Sequence, residues 1–293
     1  MKKLAPIAAA IALTATAGAL ADNNTAVQTQ AGVTNVATAV QVGPLVNNNS
    51  IFQTQAGLLN VSTAVQSVGA SFNNIAHTQT GAFNAATSFQ AGSTATSAAI
   101  TQGGIGNFGL TTQTAPALGS SASINQAGGF NFASTLQVIS TFDTATINQN
   151  GLLNLAAVIQ PLGAGNFATV NQTGVLNAAF HTQVGIVNLS SSTQTGALNS
   201  ATAVQAGSFN GSFIEQDGAL NLAFHGQTGS LNAALTSQNG ILNAATTVQA
   251  GIGNDSFTSQ TGLLNLHTTT QLGLNETAIA NQVGIGNVGV ILQ

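Results

Sequence analysis

Four histidines (His77, His181, His225 and His267) and six acids (Asp22, Asp143, Glu215, Asp217, Asp255 and Glu276) are the side chains through which this chain could move a proton or hold a metal. There is no Cys, and the only basic residues are Lys2 and Lys3. The acids do not pair at any spacing suited to acid–base work, and no Ser, His and acid converge on a nucleophile motif. The glycine-rich run at 103–106 is followed by no helix signal, so a phosphate-binding loop is a weak reading of it. What does recur at fixed spacing is the carboxamide. In QVGIVNLSSSTQTGALNSATAVQ, residues 183–205, Gln183, Gln194 and Gln205 stand 11 apart, each with Gly two places on, and Asn188 and Asn199 lie five places after the first two. An amide carries a donor and an acceptor together, so its natural chemistry at a repeating position is to bond to another copy of itself.

Gln anchors run from Gln30 and Gln41 to Gln282 and Gln293. Their spacing alternates between 11 and 12–14 as far as Gln172 and stays at 11 afterwards. Insertion at every second interval means that the true unit holds two anchors, giving twelve units of 22–25 residues over residues 24–293. Each half contains a seven-residue segment such as Asn199–Gln205, with Asn first, Ala or Ser third and Gln seventh. A spacing of two is that of a strand sending one face inward, and the Thr and Val between suit strands. Pro44, Pro116 and Pro161 are expected in the longer arcs between units, because proline removes a ladder hydrogen bond from a strand.

Two strands and two arcs close one flat coil. The expected fold is therefore all-β: a two-sheet β-solenoid of about twelve 22–25-residue coils, with amyloid-like stacking in one domain, residues 22–293. At ~4.8 Å per coil the stack would be roughly 55 Å tall. Identical inward amides would then lie above one another and bond as ladders, satisfying polar groups whose burial would otherwise cost about 1–3 kcal/mol each. The expected rungs include Gln126, Asn131, Gln137, Gln172, Asn177, Gln183, Asn188, Gln194, Asn199 and Gln205. Gly128, Gly174, Gly185 and Gly196 are expected in the arcs, where the chain must turn.

The same register places all four histidines inward. His181 and His225, 44 residues apart, fall two coils apart, near ~9.6 Å, too far to share a zinc at ~2 Å per bond. No metal, cofactor or catalytic residue is expected. The 44-residue interval also relates Phe180 to Phe224 and Phe213 to Phe257, which points to duplication of a four-strand block. Phe180, Phe224, Phe257, Leu153 and Leu264 fall on outward positions, and stripes of them would favour lateral bundling of filaments.

Residues 1–21, MKKLAPIAAAIALTATAGALA, have the short positive start, apolar stretch and small residues at Ala19 and Ala21 of a signal peptide, so export with cleavage after Ala21 is expected. The exported chain carries six acids and no basic residue, a formal charge of −6. That excludes binding nucleic acid through phosphate neutralisation, and attachment to membranes through a polybasic patch. An outer-membrane β-barrel is disfavoured, because seven-residue strands are short of the 9–11 needed and neither Trp nor Tyr is present for an aromatic girdle.

The unit resembles the curlin repeat, Ser-x5-Gln-x-Gly-x-Gly-Asn-x-Ala-x3-Gln. SSASINQAGGFNFASTLQ at 120–137 matches it at Ser120, Gln126, Gly128, Asn131, Ala133 and Gln137, and the Gly-Asn pair stands in GIGN at 104–107, 251–254 and 284–287. Elsewhere the residue before Asn is usually Leu or another apolar residue, a departure from the pattern. The resemblance implies a secreted bacterial subunit that polymerises outside the cell into the amyloid fibres of a biofilm matrix. It also implies export through an outer-membrane channel with accessory proteins, and seeding by a nucleator subunit. The repeat carries no atypical capping unit at Asn23–Gln30 or at Glu276–Gln293, so open sheet edges for head-to-tail self-assembly are expected there, with Asn24, Gln30, Asn287 and Gln293 as the end residues. The alternative is a soluble secreted solenoid binding ice or a carbohydrate surface, which would call for end caps and one regular Thr array.

Overall fold

A computed structural model describes residues 23–293; the signal-peptide expectation for residues 1–21 lies outside them. Among these described residues twenty-four strands, numbered in chain order, form two parallel sheets of twelve. The odd strands, from β1 (Thr25–Val33) to β23 (Thr277–Ile285), build one sheet, and the even strands, from β2 (Val36–Val42) to β24 (Val288–Leu292), build the other. Consecutive strands alternate between sheets, so each coil contributes one strand to each, and the chain is a β-solenoid of twelve turns.

Register follows the anchors. Gln194 pairs with Gln216 and Gln205 with Gln227, each on the next coil of its own sheet. Along β15 (Leu189–Ala197), Ser190, Ser192 and Gln194 are buried while Leu189, Thr193 and Thr195 are exposed, the alternation of a strand with one face inward.

The strands differ from the seven-residue segments at both ends. β16 is Ser200–Ser208: it begins after Asn199 and continues three residues past Gln205. Gly128, Gly174, Gly185 and Gly196 therefore lie inside strands and not in the arcs. Two prolines are also inside strands, Pro116 in β8 (Phe108–Leu118) and Pro161 in β12 (Leu155–Ala164). Both sit where the register with a neighbour shifts, the irregularity at which a missing amide is tolerated. Pro44 lies between β2 and β3 (Ser50–Leu58).

The core is thin and sized by complementarity. Ile100, Ile124 and Ile147 stack in one column, packed with alanines such as Ala133 and Ala156. At Gly109 even a methyl would come within 2.8 Å of Ile100 Cγ2. So little apolar volume leaves much of the cohesion to the buried amides.

Candidate functional site: amide ladders and sheet edges

Each sheet carries a Gln ladder at the seventh position. In the odd sheet, Gln126 Nε2 donates to Gln149 Oε1, Gln172 to Gln194, and Gln194 to Gln216, all at 2.8 Å. In the even sheet, Gln137 donates to Gln160 at 2.8 Å, Gln183 to Gln205 at 2.9 Å, and Gln205 to Gln227 at 2.8 Å. The second hydrogen of each amide crosses the core: Gln194 Nε2 donates to Ala178 O at 2.9 Å and Gln205 Nε2 to Leu189 O at 2.9 Å. One residue type therefore joins coil to coil and sheet to sheet.

The Asn ladders run the other way. The backbone N–H of each Asn donates back to the Oδ1 one coil earlier, as from Asn199 to Asn177 at 3.1 Å and from Asn188 to Asn166 at 2.9 Å. Asn131 donates to Asn107 Oδ1 with both its backbone and side-chain nitrogens. The Nδ2 group then reaches forward to a glycine carbonyl. Asn154 donates to Gly174 O, Asn166 to Gly185 O, Asn177 to Gly196 O and Asn107 to Gly128 O, at 2.9–3.2 Å.

Those carbonyls are reachable because the glycines stack without side chains. Gly128, Gly174, Gly185 and Gly196 have φ between +105° and +123°, and a Cβ on Gly196 would lie 1.9 Å from Gly218 O. Close stacking together with positive φ is what requires glycine here. The corner itself falls at the residue before Asn. Leu153, Leu176, Leu198, Leu220, Leu242 and Leu264 all hold φ near +57°, a left-handed conformation that costs a bulky residue about 1–2 kcal/mol. Gly106 and Gly286 occupy the same column at φ +68° and +69°. The Gly-Asn pair of the repeat is thus the relaxed form of this corner, and Leu-Asn the strained one.

Four positions interrupt the odd sheet's Asn ladder: Thr96, Ser120, Asp143 and Glu276. Asp143 is fully buried; its Oδ1 accepts Asn166 N at 2.7 Å and its Oδ2 has no partner. Desolvation raises its pKa to about 6, against the opposing hydrogen bonds from Asn166. A Cβ on Gly163 would meet Asn166 Nδ2 and come within 2.6 Å of Oδ2, so a larger residue there would displace both side chains.

The four histidines lie in the core. His77 is bracketed by Ser62 and Ser88 at 2.8 and 2.6 Å, His181 by Ser190 and Ser192 at 3.0 Å, and His225 by Ser212 and Thr236 at 2.8 Å. Burial lowers the pKa of each of these three to about 3 and depresses that of His267. They are neutral core spacers held by hydroxyls. Among the described residues no group of three or more His, Cys, Asp or Glu could hold a metal.

Some recurrent polar residues escape a search based on anchors alone. Asn125 Nδ2 donates to Asn148 Oδ1, and Asn148 to Asn171, both at 2.8 Å, forming a ladder on the outer face of the odd sheet. Each of the three immediately precedes an anchor Gln, which is the signal that could have found them. Gln28 and Gln53 add an inner rung at 2.8 Å.

The expected edge residues lie on the outermost coils. Gln30 and Asn24 are half-buried; Gln30 donates to Gln55 at 2.8 Å, and the Oε1 atoms of Gln28 and Gln30 have no partner. At the opposite end Asn287 is half-buried and donates back to Asn265 at 2.8 Å, and Gln293 is exposed. The outward apolar residues divide among three surfaces. Phe180 and Phe224 stand on the even sheet with Thr202 between them, Phe257 on the odd sheet beside Leu235 and Ile279, and Leu153 and Leu264 at the corner.

These features define a class: a parallel β-solenoid whose coils are joined by continuous amide ladders. A family model described as the curlin associated repeat matches residues 143–174, 32 of the chain's 293 residues. The matched segment holds the rungs Gln149, Asn154, Gln160, Asn166 and Gln172. No curated protein matches the chain.

Proposed function

We propose that the chain is a secreted structural subunit that assembles head to tail into extracellular, curli-like amyloid fibres, giving a biofilm matrix adhesion and cohesion. The observation that carries this reading is the polarity of the Gln ladders. Every rung donates toward the later coil, so Gln28 and Gln30 offer unpartnered Oε1 acceptors at the β1 edge. At the β23 edge the Nε2 of Gln282 donates to Leu266 O and, among the described residues, to no further rung. Donors at one edge and acceptors at the other, at one spacing, are what a repeated head-to-tail junction needs. Growth would proceed by strand addition, an exposed end coil ordering the incoming chain.

The same reading gives residues 1–21 the role of a cleaved signal peptide. Its partners would be further copies of the chain, with a nucleator subunit, an outer-membrane export channel and accessory proteins. Neither nucleic acid nor a cofactor enters it, and no enzymatic activity is assigned.

The test uses the edge. Thr25 donates its amide to Asn49 O on the next coil, so Ala26, one residue on, turns its amide toward the open side. Proline is tolerated at such a position in an edge strand and denies an incoming chain its ladder bond. Residues 22–293 should form filaments visible by negative stain, and Ala26→Pro should keep the β-rich circular dichroism spectrum but fail to elongate. Ala26→Pro filaments as long as the parent's, or a parent chain that stays monomeric, would overturn the reading.

A further inference from the structure

The two corners of each coil are chemically unlike. Where the chain passes from the odd to the even sheet, three columns run the height of the stack: the last residue of each odd strand, the left-handed corner residue, and the first residue of each even strand. Successive coils place Leu152, Leu153 and Leu155, then Val175, Leu176 and Ala178, then Ala197, Leu198 and Ser200 in register. Among the described residues Thr34 and Ser200 are the only polar side chains in these columns; the rest are apolar or glycine. Most of the large ones are exposed, among them Phe130 at 61% and Leu264 at 51%. The opposite corner is mixed, with Asn48, Thr141, Asp143, Asn275 and Glu276.

We infer that this apolar corner is a lateral interface on which a second copy of the chain packs side by side. A continuous exposed apolar strip of this length is uncommon on a protein that stays alone. Its apex is also held against backbone preference. From Leu153 to Leu264 the apex column repeatedly keeps a bulky residue in a conformation that favours glycine, although Gly106 and Gly286 show that glycine fits. That choice retains an exposed side chain the fold does not require.

Three features single out a second copy as the occupant. The side chains repeat once per coil, at the strand spacing, so a surface with the same repeat is the one whose ridges fit between them, and every copy has it. The chain beyond residue 21 bears acids and no basic residue, so copies repel one another. Asp143, Glu215, Asp217, Asp255 and Glu276 all lie on the odd sheet's face or at the opposite corner, leaving this corner the uncharged line of approach. A strip roughly 55 Å by 10–12 Å buries about 600 Å² on each partner, about 1,200 Å² in all, the lower bound of a stable interface.

The test measures mass per length of filaments of residues 22–293 by scanning transmission electron microscopy. The parent should give twice the value of a single solenoid. Leu153→Glu/Leu198→Glu/Leu242→Glu should halve it, and so should Leu153→Gly/Leu198→Gly/Leu242→Gly, which relaxes the corner and removes the side chains without adding charge. Ser208→Glu/Ser230→Glu, on the opposite corner, should leave it doubled. Single-solenoid mass in the parent, or doubled mass in the corner variants, overturns the inference. So does a single-solenoid parent that pellets with zwitterionic phosphatidylcholine vesicles through this corner, which would make a lipid surface the occupant. Side-by-side pairing does not depend on end-to-end growth. If no filaments form, sedimentation velocity of the soluble chain reads it directly: a dimer that the corner variants convert to monomer supports it, and a monomeric parent overturns it.

Discussion

Gly103 and Gly104 are neighbours in sequence, yet substitution by alanine should affect them in opposite ways. Gly104 has φ +108°, and a Cβ built on it lies 2.0 Å from Gly128 O, inside the 3.0 Å that real Cβ contacts respect. The two coils would have to separate by at least 1 Å (3.0 less 2.0), straining the bonds from Asn84 Nδ2 to Gly104 O and from Asn107 Nδ2 to Gly128 O. Holding an L residue at that φ costs about 1–3 kcal/mol, and two weakened hydrogen bonds add about 1 kcal/mol each. Gly104→Ala should therefore destabilise the chain by about 3–5 kcal/mol. At Gly103, with no positive φ and nothing within 4 Å of a built Cβ, alanine should be neutral or stabilise by about 0.4–1 kcal/mol, by restricting the unfolded chain. Guanidinium unfolding of residues 22–293, followed by far-ultraviolet circular dichroism, measures both. Equal effects of the two substitutions would refute the argument that these glycines are fixed by coil-to-coil contact and not by a general need for a flexible chain.

Gln194→Leu should cost about 2–4 kcal/mol in the same assay, because it strands Gln216 Oε1 on one side and the Gln172 Nε2 donor on the other at about 1–3 kcal/mol per buried unsatisfied group; a loss under 0.5 kcal/mol would count against the ladder. His77, His181 and His225 stay neutral in the fold down to about pH 3, while unfolded histidine takes up a proton below about 6.5. Each should therefore subtract stability as pH falls from 6.5 toward 3, and His181→Gln should flatten that slope in unfolding titrations. Asp143 acts in the opposite direction: its folded pKa of about 6 exceeds the ordinary aspartate value of 3.8, so its contribution falls as pH rises from about 4 to 6. Asp143→Asn should remove that component and raise stability at pH 7, and an unchanged pH profile would contradict its burial.

Much of the fold was legible because its inward positions are amides at fixed parity. Gln194 and Asn199 recur at intervals that no helix explains, and their parity alone fixes which face is buried. The Ala and Ser between them fix how close the sheets come. The strand ends were less legible, since they depend on backbone angles. Gly196 looks like a turn residue by type, yet it continues the strand because its twelvefold stack pairs in register. Leu198 looks like an ordinary surface leucine, but it is the residue in the left-handed corner, a fact carried by φ and not by hydropathy. Asp143 illustrates a further limit. It stands at an Asn position and accepts the same amide, and its cost becomes apparent only beside Gly163, which leaves room for the carboxylate and gives its Oδ2 no donor.

The central claim is that coils stack across subunit junctions as they do within one chain. Helical reconstruction by cryo-electron microscopy of filaments of residues 22–293 tests it most directly. The account predicts unbroken layers at ~4.8 Å and a subunit rise of roughly 58 Å, twelve layers of that spacing, with Gln282 of one chain in hydrogen-bonding reach of Gln30 of the next. A break in layer spacing at the junction, or subunits joined side to side with their end coils open, would contradict it.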